Sequence, residues 1–317
     1  MKENPFVFTD SNKRYYTYDY YGKKTFGGKV CKAPLDGGFT CPNIDGRCGR
    51  GGCTYCSGRG SGDFAPSPLL PLTEQYDAVR KIMDRKWKVT GYIPYLQAHT
   101  NTYAPVSRLR ALYEEALALP GALGLAIATR ADCLEDDTVA LLRDIDKRTH
   151  LTVELGLQTI HDDTARRIGR GHDFAAFLRG YEKLAGLRVM IHLIDFLPGE
   201  TPDMMLGTAK AVAALRPHGV KFHMLCVLRG SALEKEYRAG GFSLPGKDAY
   251  IDILCRQLEV LPPETVIGRV TGDAPEELLV APDWTRKKID LLNSLDKELT
   301  KRNSCQGKFV ETIQKIG

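Results

Sequence analysis

Strands alternating with amphipathic helices predict an α/β fold on a parallel sheet, and two observations carry that expectation. Between residues 72 and 227 short apolar runs follow helical stretches at regular intervals, a pattern that right-handed βαβ crossovers satisfy. A glycine-rich loop with three cysteines precedes the first of those helices. With a strand expected over 25–30, ahead of that loop, the series counts about six βα units. Six are too few for a closed eightfold barrel and enough for an open partial barrel or a doubly wound sheet. In either, ligands collect where strands end and loops begin.

Each element has a local reason. Residues 1–40 are rich in Tyr, Gly and Lys with weak periodicity, and are expected to form an irregular arm that packs Tyr15, Tyr16, Tyr18, Tyr20 and Tyr21. A helix over 72–88 leads to a strand over 92–97, and a helix over 107–119 to a strand over 123–129. The pairs 136–146 with 151–156 and 174–184 with 189–196 follow. Thr201 caps the next helix with Pro202 at its first position, and that helix, 202–215, leads to a strand over 220–227. Beyond 232 the pattern is helical (232–240, 248–260 and 284–302) with one short strand over 266–270. The expected organisation is an arm over 1–40, a core over 41–231 and a C-terminal extension over 232–317 packed on that core.

Composition sets the class. The 317 residues are 43% hydrophobic and 26% charged, the balance of an ordinary globular protein large enough to bury a sizeable core. No apolar run reaches the length of a membrane span, and the first residues lack a secretory signal. Nine cysteines, an odd number concentrated within 31–56, argue against a disulfide scaffold and for a reducing cytoplasm. The net charge of +5 is mild; it permits an RNA partner without requiring one.

The chemistry-bearing motif is CPNIDGRCGRGGCTYC, with Cys41, Cys53 and Cys56. A CxxC turn aims two thiolates at one centre, and the glycine-rich loop lets a third join them. From spacing alone two readings stand: a zinc site completed by Cys31 or Cys48, and a three-thiolate iron–sulfur cluster with one iron open to a ligand. Further candidates bunch at the expected strand ends. Gln97, His99, Asn101 and Tyr103 follow the strand over 92–97, Thr129 and Arg130 end the next, and Glu154 with Gln158 mark the third. An Arg there suits a carboxylate or phosphate, and a carboxylate inside an apolar strand needs a partner, which a ribose diol, an amino group, Arg166 or Arg170 would supply. His192, Asp195 and His223 are polar residues in strands that should be buried. There is no GxxxxGK[ST], no GxSxG and no HExxH, so phosphate-loop, serine-hydrolase and zincin readings lack support.

Together CPNIDGRCGRGGCTYC, AHTNTYAP, IATRADCLED, VELGLQTIHDDTARRIGRGHDF, LPGETPDMM and GRVTGDAPEELLVAPDW resemble the YhcC/YtqA group of radical SAM proteins. That is the sequence group nearest to the radical SAM domain of Elongator subunit 3. The resemblance implies an α/β partial (β/α)6 TIM-like barrel with an N-terminal arm and a mainly helical C-terminal cap. It implies a 4Fe–4S cluster on Cys41, Cys53 and Cys56 whose open iron chelates S-adenosylmethionine. By position, Gln97, His99 and Asn101 should meet the methionyl amino group, Glu154 and Gln158 the ribose, and Arg166 or Arg170 the carboxylate. Thr129 and Arg130 should lie nearby, and the strand ending at Asp195 should line the adenine. His99, Tyr103, His192, Asp195, His223 and Asp273 are the acid–base candidates. The family usually has a glycine before LPGE, where this chain has Phe196, a ring that would reshape the adenine wall.

The group further resembles enzymes of wobble-uridine modification in tRNA. The implied reaction carries a carboxymethylaminomethyl side chain towards aminomethyl, with flavodoxin or ferredoxin as electron donor and neither DNA nor membrane as partner. Arg286, Lys287, Lys288, Lys297, Lys301 and Arg302, with the KRNSCQGK tail, offer RNA a place to land. Two alternatives are a radical SAM enzyme of small-molecule or peptide metabolism, and a non-catalytic protein stabilised by zinc.

Overall fold

The computed structural model describes residues 4–310. Helix α1 (Tyr18–Phe26) and strand β1 (Val30–Leu35) come first, and the long cysteine loop leads to α2 (Leu72–Asp84). Then follow β2 (Gly91–Leu96), α3 (Val106–Leu117), β3 (Gly124–Arg130), α4 (Asp136–Asp146) and β4 (His150–Gln158). Next come α5 (Asp162–Arg167), α6 (Phe174–Lys183), β5 (Val189–Asp195), α7 (Pro202–Leu215) and β6 (Gly219–Met224). The last third holds β7 (Val227–Leu228), α8 (Ala232–Arg238), α9 (Lys247–Val260), β8 (Val266–Arg269), β9 (Leu279–Ala281) and α10 (Lys288–Lys301). No helix among the described residues is long and apolar enough to cross a membrane.

Seven parallel strands form one sheet in the order β1-β2-β3-β4-β5-β6-β8, curled into a half-barrel, while β7 and β9 make a small antiparallel ribbon. The short strand expected over 266–270 is thus the seventh member of the sheet, one more than the βα count gave. Alternation along the strands explains why they read as almost wholly apolar. Leu125, Ile127, Leu151, Val153, Leu155, Ile191 and Phe222 face outward into the layer shared with the helices. Their neighbours face the concave side, where small and polar residues replace aliphatics. A small inner cluster, Ile93, Tyr95 and Ala126, with Phe26 packed against it, closes the floor.

The first strand lies at Val30–Leu35, not over 25–30, because residues 18–26 form a helix capped by the Thr17 hydroxyl. That helix has a task. A half-barrel leaves β1 and β8 as open edges, and unpaired edges are a liability. Helix α1 touches both β1 and β8, and the Ile267 amide donates to the Tyr16 carbonyl at 2.7 Å. The expected arm is therefore a clamp across the seam at its lower end. The tail is tied to the same place: Gln306 accepts from the Tyr16 amide at 2.9 Å and donates to the Pro262 and Thr265 carbonyls at 2.6 and 2.8 Å. Ser304 and Gln306 are buried, so KRNSCQGK is a strap within the fold.

Helix α6 shows how tightly the layers meet. A Cβ on Gly180 would come to 2.3 Å from the Ala131 carbonyl oxygen in the turn after β3. Backbone cannot yield as a flexible side chain does. Gly180→Ala should therefore cost about 1–3 kcal/mol, read as a lower urea midpoint at an unchanged slope; an unaltered midpoint would show that this turn gives way freely.

Candidate functional site

Cys41, Cys53 and Cys56 line one cavity of about 380 Å³ inside the upper half-barrel. The loop that carries them is shaped by its own backbone. Ile44 N–H donates to the Cys41 carbonyl at 2.9 Å, Cys56 N–H to the Cys53 carbonyl at 3.0 Å, and Gly52 N–H to the Asn43 carbonyl at 2.9 Å. The Cys41 sulfur has the Thr100 hydroxyl at 3.1 Å, and Asn43 Nδ2 donates to the Cys53 sulfur at 3.2 Å. Cys48 is exposed, 3.7 Å from Arg130 Nη2, and does not line the cavity; Cys31 sits on β1, away from the loop. Gly60 is required at its place, since a Cβ there would lie 2.3 Å from the His99 ring. The Cys53 thiol is held well below its ordinary value by its hydrogen bond with Cys56 and by Arg170 and Arg130, against the opposing effect of burial.

Seven of the expected cofactor residues line this cavity: Gln97, His99, Thr129, Arg130, Glu154, Gln158 and Arg170. Gln97 ties the cysteine loop by donating to the Ser61 carbonyl at 2.7 Å. His99 and Gln158 adopt φ of 59° and 74°, a region that non-glycine residues occupy rarely and that clusters at functional sites. The strand pairing slips between Gly156 and Gln158, which turns Gln158 at the end of β4. Arg130 is paired with Asp132 at 2.8 Å, and Arg170 donates to the Gly156 carbonyl at 2.6 Å. Each keeps a buried donor without a partner, Nη1 in Arg130 and Nε in Arg170. An anion arriving here would find unspent hydrogen bonds.

Three expected residues lie elsewhere. Asn101 is buried, donating to the Ala98 and Ala128 carbonyls at 3.0 and 2.9 Å. Arg166 is exposed on α5 and paired with Asp163. Asp195 points into the outer layer, where Gln257 donates to its Oδ1 at 2.6 Å. Of the acid–base candidates, His192, His223 and Asp273 join His99 in the cavity, and Tyr103 stands outside it under the Arg47 guanidinium. Phe196 has φ 63°, which gives the usual glycine its reason. Its ring packs 6.4 Å from that of Tyr250 and does not line the cavity, so it leaves the inner wall unaltered.

Below the cysteines lies a group of charges that strand periodicity alone did not assign. Glu154 is fully buried, its Oε1 held by Lys32 and its Oε2 by Lys221 and by His192 at 2.8 Å. Both oxygens are thus spent, which leaves Gln158, nearer the strand end, to face a ribose. Lys221 and Lys32, with His192, hold the Glu154 carboxyl well below its ordinary range despite burial. Lys221 is pushed down to about 7 by burial, and Lys32, sharing the same carboxylate, stays charged. Two ammonium groups compete for one carboxylate in a water-poor place, which leaves Lys221 short of counter-charge. His192 is lowered to about 4 and His223 well below its ordinary value, both by burial, so both imidazoles are neutral. Arg269 completes the set, donating to Asp273 at 3.1 Å and facing His223 at 2.8 Å. The signal for Lys32, Lys221 and Arg269 was a lone cation in mid-strand.

A half-barrel with this cysteine loop at the strand ends is the architecture of a radical SAM enzyme, and the chain belongs to the radical SAM superfamily. The superfamily's domain matches residues 43–212 and its C-terminal domain residues 217–301. The chain is 47% identical to Bacillus subtilis YtqA over 316 residues, covering 99% of this chain and 98% of that protein. It is 36% identical to Escherichia coli YhcC over 279 residues, 87% and 89% of the two chains. Among solved structures, Methanocaldococcus infernus Elp3 with an N-terminal deletion superposes with a TM-score of 0.63 at 19% identity, over 87% of this chain and 64% of that one.

The family implies a 4Fe–4S cluster and S-adenosylmethionine, and the residues fit both. Three thiols share one cavity, and the two arginines beside them hold free donors for a carboxylate. No group of three His, Cys, Asp or Glu among the described residues is gathered tightly enough for a single metal ion. A cubane spreads its thiolates and makes no such demand. Cys41→Ala, Cys53→Ala and Cys56→Ala should each lose the brown iron–sulfur absorbance after anaerobic reconstitution, whereas Cys48→Ala keeps it. The reverse pattern would reassign the ligands.

Asp195 yields a pH prediction. Its Oδ2 and the Oε1 of Gln257 are both buried without partners. A proton on Oδ2 turns it into the donor that an amide oxygen lacks, and burial raises this carboxyl from 3.8 to about 7. Between those values the folded chain holds a proton that the unfolded chain releases, so this site's stability falls as pH rises, by roughly 4 kcal/mol in all. Asp195→Asn should be the more stable protein at pH 8 and should lose the decline. Parallel pH–stability curves for the two proteins would refute a protonated Asp195.

Proposed function

We propose that this radical SAM enzyme acts on a wobble uridine of tRNA, carrying a carboxymethylaminomethyl side chain towards aminomethyl. The observation that carries the reading is a second opening. The cavity reaches the surface through a lateral mouth of about 890 Å³ between the edges of β1 and β8. Phe64, Tyr95, Gln97, Arg269 and Asp273 border both spaces, so the two adjoin. The mouth is edged by two aromatic rings, Phe64 and Trp87, each 50% exposed, and by Lys86, Arg286 and Lys288. Exposed rings for stacking bases, interleaved with cations for phosphates, suit a single-stranded nucleotide loop that delivers one base inward. The resemblance to the group related to Elongator subunit 3 points the same way.

When bound, the cluster and S-adenosylmethionine supply a 5′-deoxyadenosyl radical that abstracts a hydrogen atom from the substrate. The chain's own residues bind, orient and exclude water. Arg130 and Arg170 would hold the cofactor's carboxylate, Gln158 its ribose, and Cys41, Cys53 and Cys56 the cluster. The neutral imidazoles of His192 and His223 stand in the cavity, the first donating to Glu154 and the second accepting from Arg269. An electron donor of the flavodoxin or ferredoxin kind belongs to the same reading.

The test is 5′-deoxyadenosine formation by the anaerobically reconstituted, dithionite-reduced protein, with and without undermodified bacterial tRNA. Stimulation by tRNA, weakened by added salt as phosphate contacts require, is the expected result. Formation that an adequately varied tRNA pool leaves unchanged would move the substrate to small molecules or peptides.

A further inference from the structure

The cationic residues of the cavity and of its lateral mouth fall into two sets on different elements. Arg130 and Arg170 lie beside the cysteine loop, and Lys32, Lys221 and Arg269 lie lower, where the cavity meets the lateral mouth. The first set has its expected ligand in the cofactor's carboxylate. The second has more positive charge than the protein itself neutralises. Glu154 alone serves Lys32 and Lys221. Asp273, the acidic partner of Arg269, is shared with Lys288 at 3.0 Å. Three cations thus face one buried carboxylate and part of a second. The Nε of Arg269 is buried without a partner. Lys221 and Arg269 are register partners on β6 and β8, so their side chains leave the sheet side by side, with His223 two residues further along β6. A half-buried guanidinium whose Nε is a buried free donor, next to an ammonium, is a built place for an anion.

We propose that Lys221 and Arg269 form an anion subsite that receives the carboxylate of the substrate's side chain, separate from the arginines that serve the cofactor. This rests on the uridine reading above and deepens it. A carboxymethylaminomethyl group ends in a carboxylate, and an aminomethyl group ends in an ammonium. The same two cations that attract the first repel the second. The subsite therefore distinguishes substrate from product by charge, anchors the side chain with its methylene groups towards the cysteine loop, and favours product release. The other source of the same chemistry is an RNA phosphate, which every nucleotide carries.

The test uses anticodon stem-loops bearing carboxymethylaminomethyluridine, aminomethyluridine or plain uridine at the wobble position. Binding to the full reconstituted chain with S-adenosylmethionine is followed by fluorescence anisotropy. The wild type should prefer the carboxylate-bearing loop by about tenfold or more, the scale of charge-assisted hydrogen bonds. Arg269→Met, at the edge of the mouth, should bring that preference within about twofold of unity, and Arg269→Lys should keep part of it. Lys221→Met is the second variant, its folding checked by its melting curve. If each variant weakens all three loops by one factor, the anion is a backbone phosphate and the carboxylate assignment is overturned. An undiminished preference in both variants overturns the subsite.

An arm without RNA separates this proposal from the reading beneath it. Replacing chloride by acetate at constant ionic strength should raise the melting temperature of the wild type more than that of Arg269→Met, because an anion bound only to the folded state stabilises it. If no loop binds the wild type, the uridine reading fails and the acetate shift decides the subsite alone. If the loops bind but acetate acts equally on all proteins and the preference persists in the variants, the subsite fails and the uridine reading stands.

Discussion

A carboxylate sealed from water in the middle of β4 is the constraint on which the interior depends. Glu154 cannot stay charged there without partners, and an unpaired buried charge costs several kcal/mol. It is satisfied by Lys32 from β1, His192 from β5 and Lys221 from β6. Those strands span almost the whole sheet, so one side chain ties the two limbs of the half-barrel across its hollow. Removing it would strand two lysines, a worse state than the one it relieves. The interior is therefore polar by construction, and the aliphatic core lies outside the sheet, between strands and helices.

Keeping the hollow open leaves two edges to protect. Helix α1 spans the seam at the lower end, and Thr17 pairs with Ile267 beside it. Higher up, no strand among the described residues bridges β1 and β8, and the seam widens into the lateral mouth. The same strands thus receive cover where the fold needs it and access where chemistry needs it. Gln306 and Tyr16 link the C-terminal strap to the residues ahead of α1, so both ends of the described chain brace this one seam.

The legibility of the fold followed the strength of local signals. Asp136–Asp146 and Pro202–Leu215 read true to the residue because acidic first turns, Thr201 and Pro202 mark their starts. Strand β1 was displaced because α1 is short and tyrosine-rich, with its apolar face against a seam that no periodicity reveals. The cysteines and the strand-end residues were legible through motif and position. Lys32, Lys221 and Arg269 were not assigned, since a cation in an apolar strand states a need for a partner without naming it. Only the curl of the sheet brings Lys32 of β1 and Lys221 of β6 to the same carboxylate and sets Arg269 of β8 beside Lys221. Asp195 and Phe196 misled for a related reason: the chain turns sharply at Phe196, and both side chains leave the cavity for the outer layer.

Electrostatics divides what remains of the cavity. Its upper end holds thiols and two arginines; its lower end holds Arg269 and Glu154 and adjoins the two lysines of the lateral mouth; and its wall also carries Ile194, Met224 and Leu225 with the neutral rings of His192 and His223. Charges at the ends fix polar groups of bound molecules through strong, directional hydrogen bonds. The middle offers apolar contact and imidazoles without charge. Hydrogen-atom transfer moves no net charge, so it gains little from a charged wall and much from fixed distance and the absence of water. The cavity is built to that division: anchors at both ends, and a quiet stretch between them in which the reacting atoms meet.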